Sequence, residues 1–378
     1  MSLKQTAVSM VLGLVLIAAA GVPNAGALEP DAGFAPVPSG FPPNGLRPLP
    51  ADQVAQLAVS PPAPALQMPD SLDWRAEGII TPSRSQDHCG ACWAFAAIAC
   101  IEAKAIQAGA PPTLDLSEQF PISCDTLITF IPPNEYRSDG CCGGFVFVFD
   151  FLSDNAAIAE THFAWGDGDF DGEGPRACAA EPDWNTIPCP SSWPPHAGWR
   201  VTSWNLLPVG LDNLPTVATL KTALQDGPVW LGYYVYEDFY TYWQTADPEE
   251  VYQRQTGANT GGHAVLLIGY NDRLNAWLVK NHWGATAGPN DDGTFWVHYT
   301  DHNCSFGLNA TVVNGVIGGL TEEHACCVGD ECFLVSGAEC IALGGDWLES
   351  VDACDPSPCP TPIKEVSFGT LKDLFREQ

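Results

Sequence analysis

Basic residues are scarce in this chain. Its 378 residues hold 15 lysines and arginines against 45 aspartates and glutamates, a formal net charge of -30. So acidic a chain repels phosphate backbones, which argues against a nucleic-acid partner. It is expected to be soluble and self-repelling at neutral pH. Long apolar runs are also missing after the first residues, so nothing downstream reads as a membrane span. There is no internal repeat. A zinc half-site is suggested by "CGAC" at Cys89 and Cys92, but the second ligand pair of matching spacing that zinc needs is lacking. "CC" at Cys141 and Cys142 has the wrong spacing, and the histidines are scattered. Cysteine itself is abundant: 15 residues is far too many for an ordinary cytosolic enzyme.

The N-terminus accounts for the cysteines. After Lys4 comes the apolar run "AVSMVLGLVLIAAAG", then "NAGA", with small residues at Ala25 and Ala27. That is the pattern of a secretion signal over residues 1–27, cleaved after Ala27. The expected location is therefore extracellular, in an oxidising environment where disulfides persist. Residues 28–68 form a proline-rich linker, with ten prolines among residues 28–66. Proline removes backbone donors and breaks helices, so this stretch reads as mostly extended, with room for one short helix in "ADQVAQLAV", residues 51–59. Denser, aromatic-rich sequence occupies residues 69–319. A cysteine-rich block spans residues 320–360, and an amphipathic tail fills residues 361–378.

The stretch "QDHCGACWAF", residues 86–95, poses the functional question. Its two cysteines are compatible with a redox couple, a structural bridge, or a bridge plus a nucleophile. "CWAFAAIACIEAKAIQAG" reads as a helix with Cys92 in its first turn, where unpaired amides and the helix dipole favour a thiolate. That suits a nucleophile and a redox cysteine alike. Two downstream stretches bear on the choice. "TGGHAVLLIGY" places His263 at the entry to a buried strand, and "AWLVKNHWG" places Asn281 at the end of another. A cysteine nucleophile needs an imidazole to pair with, and the imidazole needs a polar group to fix its ring. Cys92, His263 and Asn281 meet those needs in type and order.

With these residues in view, the chain resembles a papain-family cysteine peptidase, nearest the cathepsin B-like branch. The resemblance rests on "LDWRAEGIITPSRSQDHCGACWAF", "LSEQFPISCD", "GCCGGF", "GPVWLGYYVYEDFYTY", "GGHAVLLIGY" and "KNHWG", all in the family's order over about residues 70–313. It implies an α+β fold in two halves with a substrate cleft between them: a helical half holding Cys92 and a β-rich, barrel-like half holding His263 and Asn281. By the same resemblance, Cys92 is the nucleophile and His263 its acid–base partner. Asn281 orients the imidazole and Trp283 shields that contact. The Gln86 amide and the Cys92 backbone N–H form the oxyanion hole. Gly143 and Gly144 pair with extended substrate backbone, while Val146, Gly232, Ala264 and Asn309 line the main side-chain pocket. Cys89 bridges to Cys141 and Cys124 to Cys178. A bridge from Cys142 to Cys189 is a guess.

Several positions depart from the family. His282 stands where serine is usual, either adding a second imidazole near the site or pointing to solvent. Ala287 replaces a second tryptophan of many relatives, suggesting a weaker platform on the leaving-group side. No His-His pair of the cathepsin B occluding type lies between Gly144 and Cys189, so endopeptidase action is expected over carboxydipeptidase action. Cys304 lacks the partner it has in papain, and Cys100 reads as a small core residue. A long helical propeptide is also absent, and the expectation is that a short extended stretch covers the cleft instead.

Three features lie outside the resemblance. Six cysteines between Cys326 and Cys359 imply a three-bridge module of unspecified connectivity, a candidate for attachment to a surface. The tail puts Phe368, Leu371, Leu374 and Phe375 on one helical face, for docking on the module or reading by a sorting partner. "GDGDFDGEGPRAC" alternates Asp167, Asp169 and Asp171 before Gly172, the opening of a calcium loop, although a solvated acidic loop accounts for it at least as well. No cofactor is otherwise expected. The sequence thus reads as a secreted thiol endopeptidase acting on proteins or peptides. The alternative is a catalytically inactive peptide-binding protein held to a surface by its cysteine-rich module.

Overall fold

The computed structural model describes residues 34–57, 59, 68–166, 187–190, 198–210, 212–318, 324–329, 331–335, 346–348, 353–354 and 358–359. The signal segment, the Asp167–Asp169–Asp171 loop, Cys178 and the C-terminal tail fall outside them. In chain order the elements are α1 (Ala51–Val54), β1 (Ser71–Asp73), α2 (Cys92–Gln107), α3 (Gln119–Cys124), β2 (Thr129–Ile131), β3 (Asn134–Tyr136), a 3-10 turn (Gly140–Cys142) and α4 (Val148–Asp154). Then follow β4 (Trp199–Leu206), α5 (Val217–Leu224), β5 (Val229–Tyr236), α6 (Glu237–Thr245), β6 (Val251–Tyr252), β7 (Asn259–Asn271), β8 (Ala276–Lys280), β9 (Thr294–His298) and β10 (Leu308–Gly318). A last group is β11 (His324–Val328), β12 (Glu331–Val335) and β13 (Asp346–Leu348).

Helix α2 is apolar nearly all round, the pattern of a helix buried on every side. Its alanines 94, 96, 97, 103 and 105 let neighbours approach closely, and all are buried. Two charged residues share that interior. Glu102 accepts hydrogen bonds from the Thr81 hydroxyl and the Leu116 amide, and Lys104 donates to the Asp226 carbonyl at 2.9 Å. Buried charges persist only when paired in this way.

The main sheet has eight strands, in the order β4-β10-β5-β7-β8-β9-β6, with β1 added to β7. Strands β5, β7, β8 and β9 are continuous apolar runs because both faces are covered. Side chains alternate across a strand. In β7, Ala264, Leu266 and Ile268 therefore join the cluster around α2, while Val265 and Leu267 join an aromatic cluster on the other face, and an irregularity between Leu267 and Gly269 turns Tyr270 to that face too. The sheet remains open: its path runs from β4 to β6 with no pairing between them, so the β-rich half is no closed barrel. The helical half and the sheet otherwise match the two-half α+β architecture.

Disulfides join Cys89 to Cys141 and Cys124 to Cys189. The second corrects the expected Cys124–Cys178 pairing, and with it the guess of Cys142 with Cys189. The cause is local: the Ser123 hydroxyl at the end of α3 donates to the Ile187 carbonyl at 2.7 Å, which delivers Cys189 two residues later. Cys142 is itself disulfide-bonded. The cysteine-rich block forms its own three-stranded sheet, β12-β11-β13, with bridges Cys327–Cys359 and Cys332–Cys354. Among the described residues no helix is long and apolar enough to cross a membrane.

Candidate active site

Cys92 opens α2, with Ala91 as an N-cap that offers no side-chain hydrogen bond. The loop before it is held by the Cys89–Cys141 bridge and by the Gly90 amide donating to the Cys141 carbonyl at 3.0 Å. The other side of that loop is tied to the β half. The Gln86 amide donates to the His282 carbonyl, and the Gly284 amide to the Arg84 carbonyl, both at 3.0 Å. Gln86 is fully buried, with its side-chain Nε2 donating to the Cys89 carbonyl at 2.7 Å. Its place six residues before the thiol thus puts its amide next to the helix start.

The imidazole comes from the sheet. His263 lies inside β7, opposite Tyr233 of β5. Asn281 follows the last residue of β8, and its amide donates to the Gly293 carbonyl at 2.9 Å. His263 Nε2 lies 2.8 Å from Asn281 Oδ1. That oxygen can only accept, so Nε2 carries a proton and Nδ1 is left without a partner. Asn281 Oδ1 also accepts from the His282 amide at 2.9 Å, which holds the carboxamide in place. Cys92 Sγ, one nitrogen of His263 and one of His282 all lie within 4.8 Å of one another. His282 does not point to solvent: it is buried, and its ring centre is 4.9 Å from that of His263. Trp283 covers His263 at 5.1 Å and is enclosed by Phe239, Tyr240 and Trp243.

Residues 41–49 run through the cleft as a strand-like segment bridged to both sides at Leu46. The Leu46 amide donates to the Gly262 carbonyl, the Arg47 amide to the Gly144 carbonyl, and the Gly144 amide to the Gly45 carbonyl, each at 2.9 Å. The strand is parallel to the chain at Gly144 and antiparallel at Gly262. Gly144 must be glycine, since a Cβ there would fall 2.4 Å from the Trp93 ring. The Gly45 amide meets Cys92 Sγ at 3.3 Å, while the Pro43 carbonyl accepts from Gln86 Nε2 at 3.0 Å. Phe41 packs edge-on against Trp283, and the Arg47 guanidinium donates to the Cys142 carbonyl at 2.8 Å. Leu46 drops its side chain against Gly232, where a Cβ would lie 2.0 Å from Leu46 Cδ2. Val146 and Ala264 belong to the same buried cluster as Leu46. Asn309 is buried, and its Oδ1 accepts from the Leu49 amide at 2.8 Å. An engaged, buried side chain of this kind does not present the "NAT" at Asn309 for glycosylation.

Burial beneath this strand keeps the reacting groups neutral. Desolvation pushes the Cys92 thiol up to about 11, against the lowering effect of backbone donors including Gly45. Desolvation also pulls His263 down to about 4, with the Asn281 bond opposing it. The advantage of a helix N-terminus for a thiolate is outweighed here by the loss of water.

Two features of the site had no separate signal in the sequence. Trp243 of α6 lies against Gly288, where a Cβ would fall 2.7 Å from its ring, so an aromatic surface stands beside Ala287 after all. Behind Asn281, Lys280 donates to Thr81 and is held down to about 8 by burial, against the fields of Glu102 and Glu118. Arg84 reaches Glu102, Asp115 and Glu118 in the same group, while Lys280 of β8 joins it through the Thr81 hydroxyl, which donates to Glu102. Such arginine–carboxylate clusters are visible only once the elements are assembled.

Residues 68–314 match the family "Papain family cysteine protease". The chain is 30% identical over 269 residues to "Cathepsin B-like CP3" of Giardia intestinalis, covering 68% of this chain and 77% of that relative. It is 28% identical over 225 residues to "Cathepsin S" of Bos taurus, covering 58% of each, so it spans less than two thirds of that protein. Among solved structures, "proCathepsin B S9 from Trypanosoma congolense" overlaps 76% of this chain and 85% of its own, with 20% identity and a TM-score of 0.49.

Proposed function

The chain belongs to the papain family of cysteine proteases, and we propose that it is a secreted endopeptidase made in a latent form, with its own residues 41–49 as the plug of the cleft. The observation that carries the chemical reading is the His263–Asn281 hydrogen bond beside the Cys92 sulfur. Once the plug leaves, water returns to the cleft, and the proton of the Cys92 thiol passes to His263 Nδ1. The helix N-terminus then favours the thiolate. The thiolate attacks the substrate carbonyl carbon, forming a C–S bond. The oxygen of the tetrahedral intermediate is held by Gln86 Nε2 and the Cys92 amide, donors that act where charge develops. His263 returns its proton to the leaving amine as the C–N bond breaks. Water, deprotonated by His263, then cleaves the acyl-enzyme and restores the thiol. Asn281 keeps the ring aligned through both halves of the cycle.

The plug explains latency through its direction and register. Its amide, from Gly45, faces the sulfur, and its pairing with Gly144 is parallel. Leu46 against Gly232 supports a pocket that takes bulky apolar side chains. Asn309→Glu should therefore raise hydrolysis of substrates presenting arginine to that pocket, measured as kcat/KM against the leucine equivalent. Secretion is supported by the apolar N-terminal run and by the four described disulfides, which persist in oxidising compartments. Endopeptidase action is supported by the missing His-His pair between Gly144 and Cys189. The deciding experiment is covalent labelling of Cys92 by an epoxysuccinyl thiol-protease inhibitor, read by mass, before and after removal of residues 28–68. Labelling after removal is expected. A thiol that never labels would return the chain to the non-catalytic peptide-binding reading.

A further inference from the structure

His282 gives the site a third donor that peptide hydrolysis does not use. We propose that Cys92, His263 and His282 form a binding site for a thiophilic divalent cation of the zinc type, which reversibly blocks the thiol. The three ligand atoms already lie within 4.8 Å of one another. Zinc bonds of about 2.3 Å to sulfur and about 2.0 Å to nitrogen place tetrahedral ligands roughly 3.5 Å apart, so a movement on the order of 1 Å closes the site. All three residues are at least nine-tenths buried, with relative exposures of 0%, 0% and 4%. Two nitrogens stand ready: His263 Nδ1 and His282 Nε2 have no hydrogen-bond partner.

The surroundings suit a metal ligand. Asn281 Oδ1 accepts from His263 Nε2, which leaves Nδ1 with its lone pair free when the ring is neutral. Metal-bound imidazoles are usually oriented by such an oxygen on the other nitrogen. One thiolate and two imidazoles select zinc over magnesium or calcium, which prefer oxygen. Water takes the fourth position. Binding exchanges the single proton of the Cys92–His263 pair for the metal and releases it to solvent, with no change of oxidation state. Without His282 only two ligands would remain, too few for a tight zinc site. The strand at Gly45 lies over the sulfur, so the site opens when the plug leaves.

The inhibitory effect rests on the peptidase reading; the binding does not. Hydrolysis by the active enzyme is measured while zinc chloride is titrated in a metal buffer, then reversed with EDTA, each variant being normalised to its own metal-free rate. Zinc is expected to inhibit the wild type reversibly. His282→Ser should weaken that inhibition by at least about tenfold, the lower figure for losing a mere outer partner of a metal. Equal sensitivity of the two proteins, or a zinc-insensitive wild type, would overturn the proposal. If no form hydrolyses peptides, the peptidase reading has failed and cobalt(II) titration of the full chain in a Leu46→Ala background decides the binding. A thiolate-to-cobalt band with tetrahedral visible bands, lost on alkylation of Cys92, is expected. A spectrum of six-coordinate aqueous cobalt overturns the site. This arm also decides the matter if His282→Ser fails to fold.

Discussion

The two sides of the cleft position their reacting groups by different means. Cys92 sits on the helical half, at the start of α2, where disulfides including Cys89–Cys141 and Cys124–Cys189 tie the loops down. His263 and Asn281 sit on the β half. There, no disulfide occurs among the described residues, and Cys304 is buried and unbridged. Order on that side comes from the strand ladder and from a packed cluster including Tyr233, Phe239, Trp243, Trp277, Trp283 and Phe295. A loop has few backbone hydrogen bonds to hold its register and gains most from a covalent closure. A central strand has its register set by pairing on both edges. The thiol is thus stapled in place, and the imidazole is placed by sheet register.

The largest expected effect tests whether the chemistry is divided between the halves. Cys92→Ala on one side and His263→Ala on the other should each lower kcat/KM by about four orders of magnitude or more, because such groups act as a unit. Asn281→Ala should keep a measurable rate, since it orients the base without exchanging protons. Retained turnover in Cys92→Ala would end the proposal that this sulfur is the nucleophile.

The next effect separates the staples from the ladder. Replacing both Cys89 and Cys141 by serine should cost about 2–5 kcal/mol of unfolding free energy, the usual range for a native bridge. Cys304→Ala in the β half should cost about 1 kcal/mol, for a small cavity alone. Denaturant unfolding of the two variants beside the parent gives the comparison. Equal losses would show that the halves are held by similar means.

Much of this contrast was legible in the sequence, and the exceptions have physical causes. Cys92, His263 and Asn281 stand out because each lies in a short stretch whose local structure is written locally: a helix start, the entry to a strand, a strand end; Gln86 is marked only by the resemblance and its place six residues before Cys92. The partner of Cys124 was misread because loop closure is a tertiary fact, set here by the Ser123–Ile187 contact. The orientation of His282 stayed open because the residue after a strand end can turn either way; the bond from its amide to Asn281 Oδ1 helps settle it. The open edge of the sheet and the placing of Trp243 beside Ala287 depend on packing between distant segments, which no local pattern encodes.

A smaller effect concerns the strand that spans both halves through Gly144 and Gly262. Leu46→Ala removes most of a buried side chain, worth about 2 kcal/mol of docking. Inhibitor labelling of Cys92 in the uncleaved chain should then speed up about thirtyfold, the same free energy read as a population of open cleft. Arg47→Ala should also speed labelling, through loss of its 2.8 Å bond to the Cys142 carbonyl, since its ion pair with Asp139 is long, at 3.9 Å, and contributes little. An unchanged labelling rate in Leu46→Ala would mean that the strand does not limit access.

The smallest effect contrasts carboxylates in the two halves. In the helical half, burial raises Asp125 to about 6, opposed by hydrogen bonds from the Leu127 amide and Ser138, with Asp150 adding a like charge. In the β half, burial raises Asp272 too, but Lys221 and the Tyr299 hydroxyl together outweigh it and hold the group below the usual range. The two therefore respond to pH in opposite senses. Between about pH 4 and pH 6 the folded protein keeps a proton on Asp125 that the unfolded chain has lost, so this group's contribution to stability falls as pH rises. The penalty is complete above about pH 6 and absent below about pH 4. Asp125→Asn keeps an oxygen for the Leu127 amide, 3.1 Å away, and removes the charge. At pH 7 it should stabilise by on the order of 1 kcal/mol, the full two-unit shift being discounted because the group is not wholly buried. At pH 4 the variant and parent should melt together. Asp272→Asn should instead destabilise at pH 7, with the loss fading as acid protonates the parent's carboxylate. Melting curves at the two pH values test both signs, and a stabilising Asp272→Asn at pH 7 would erase the contrast.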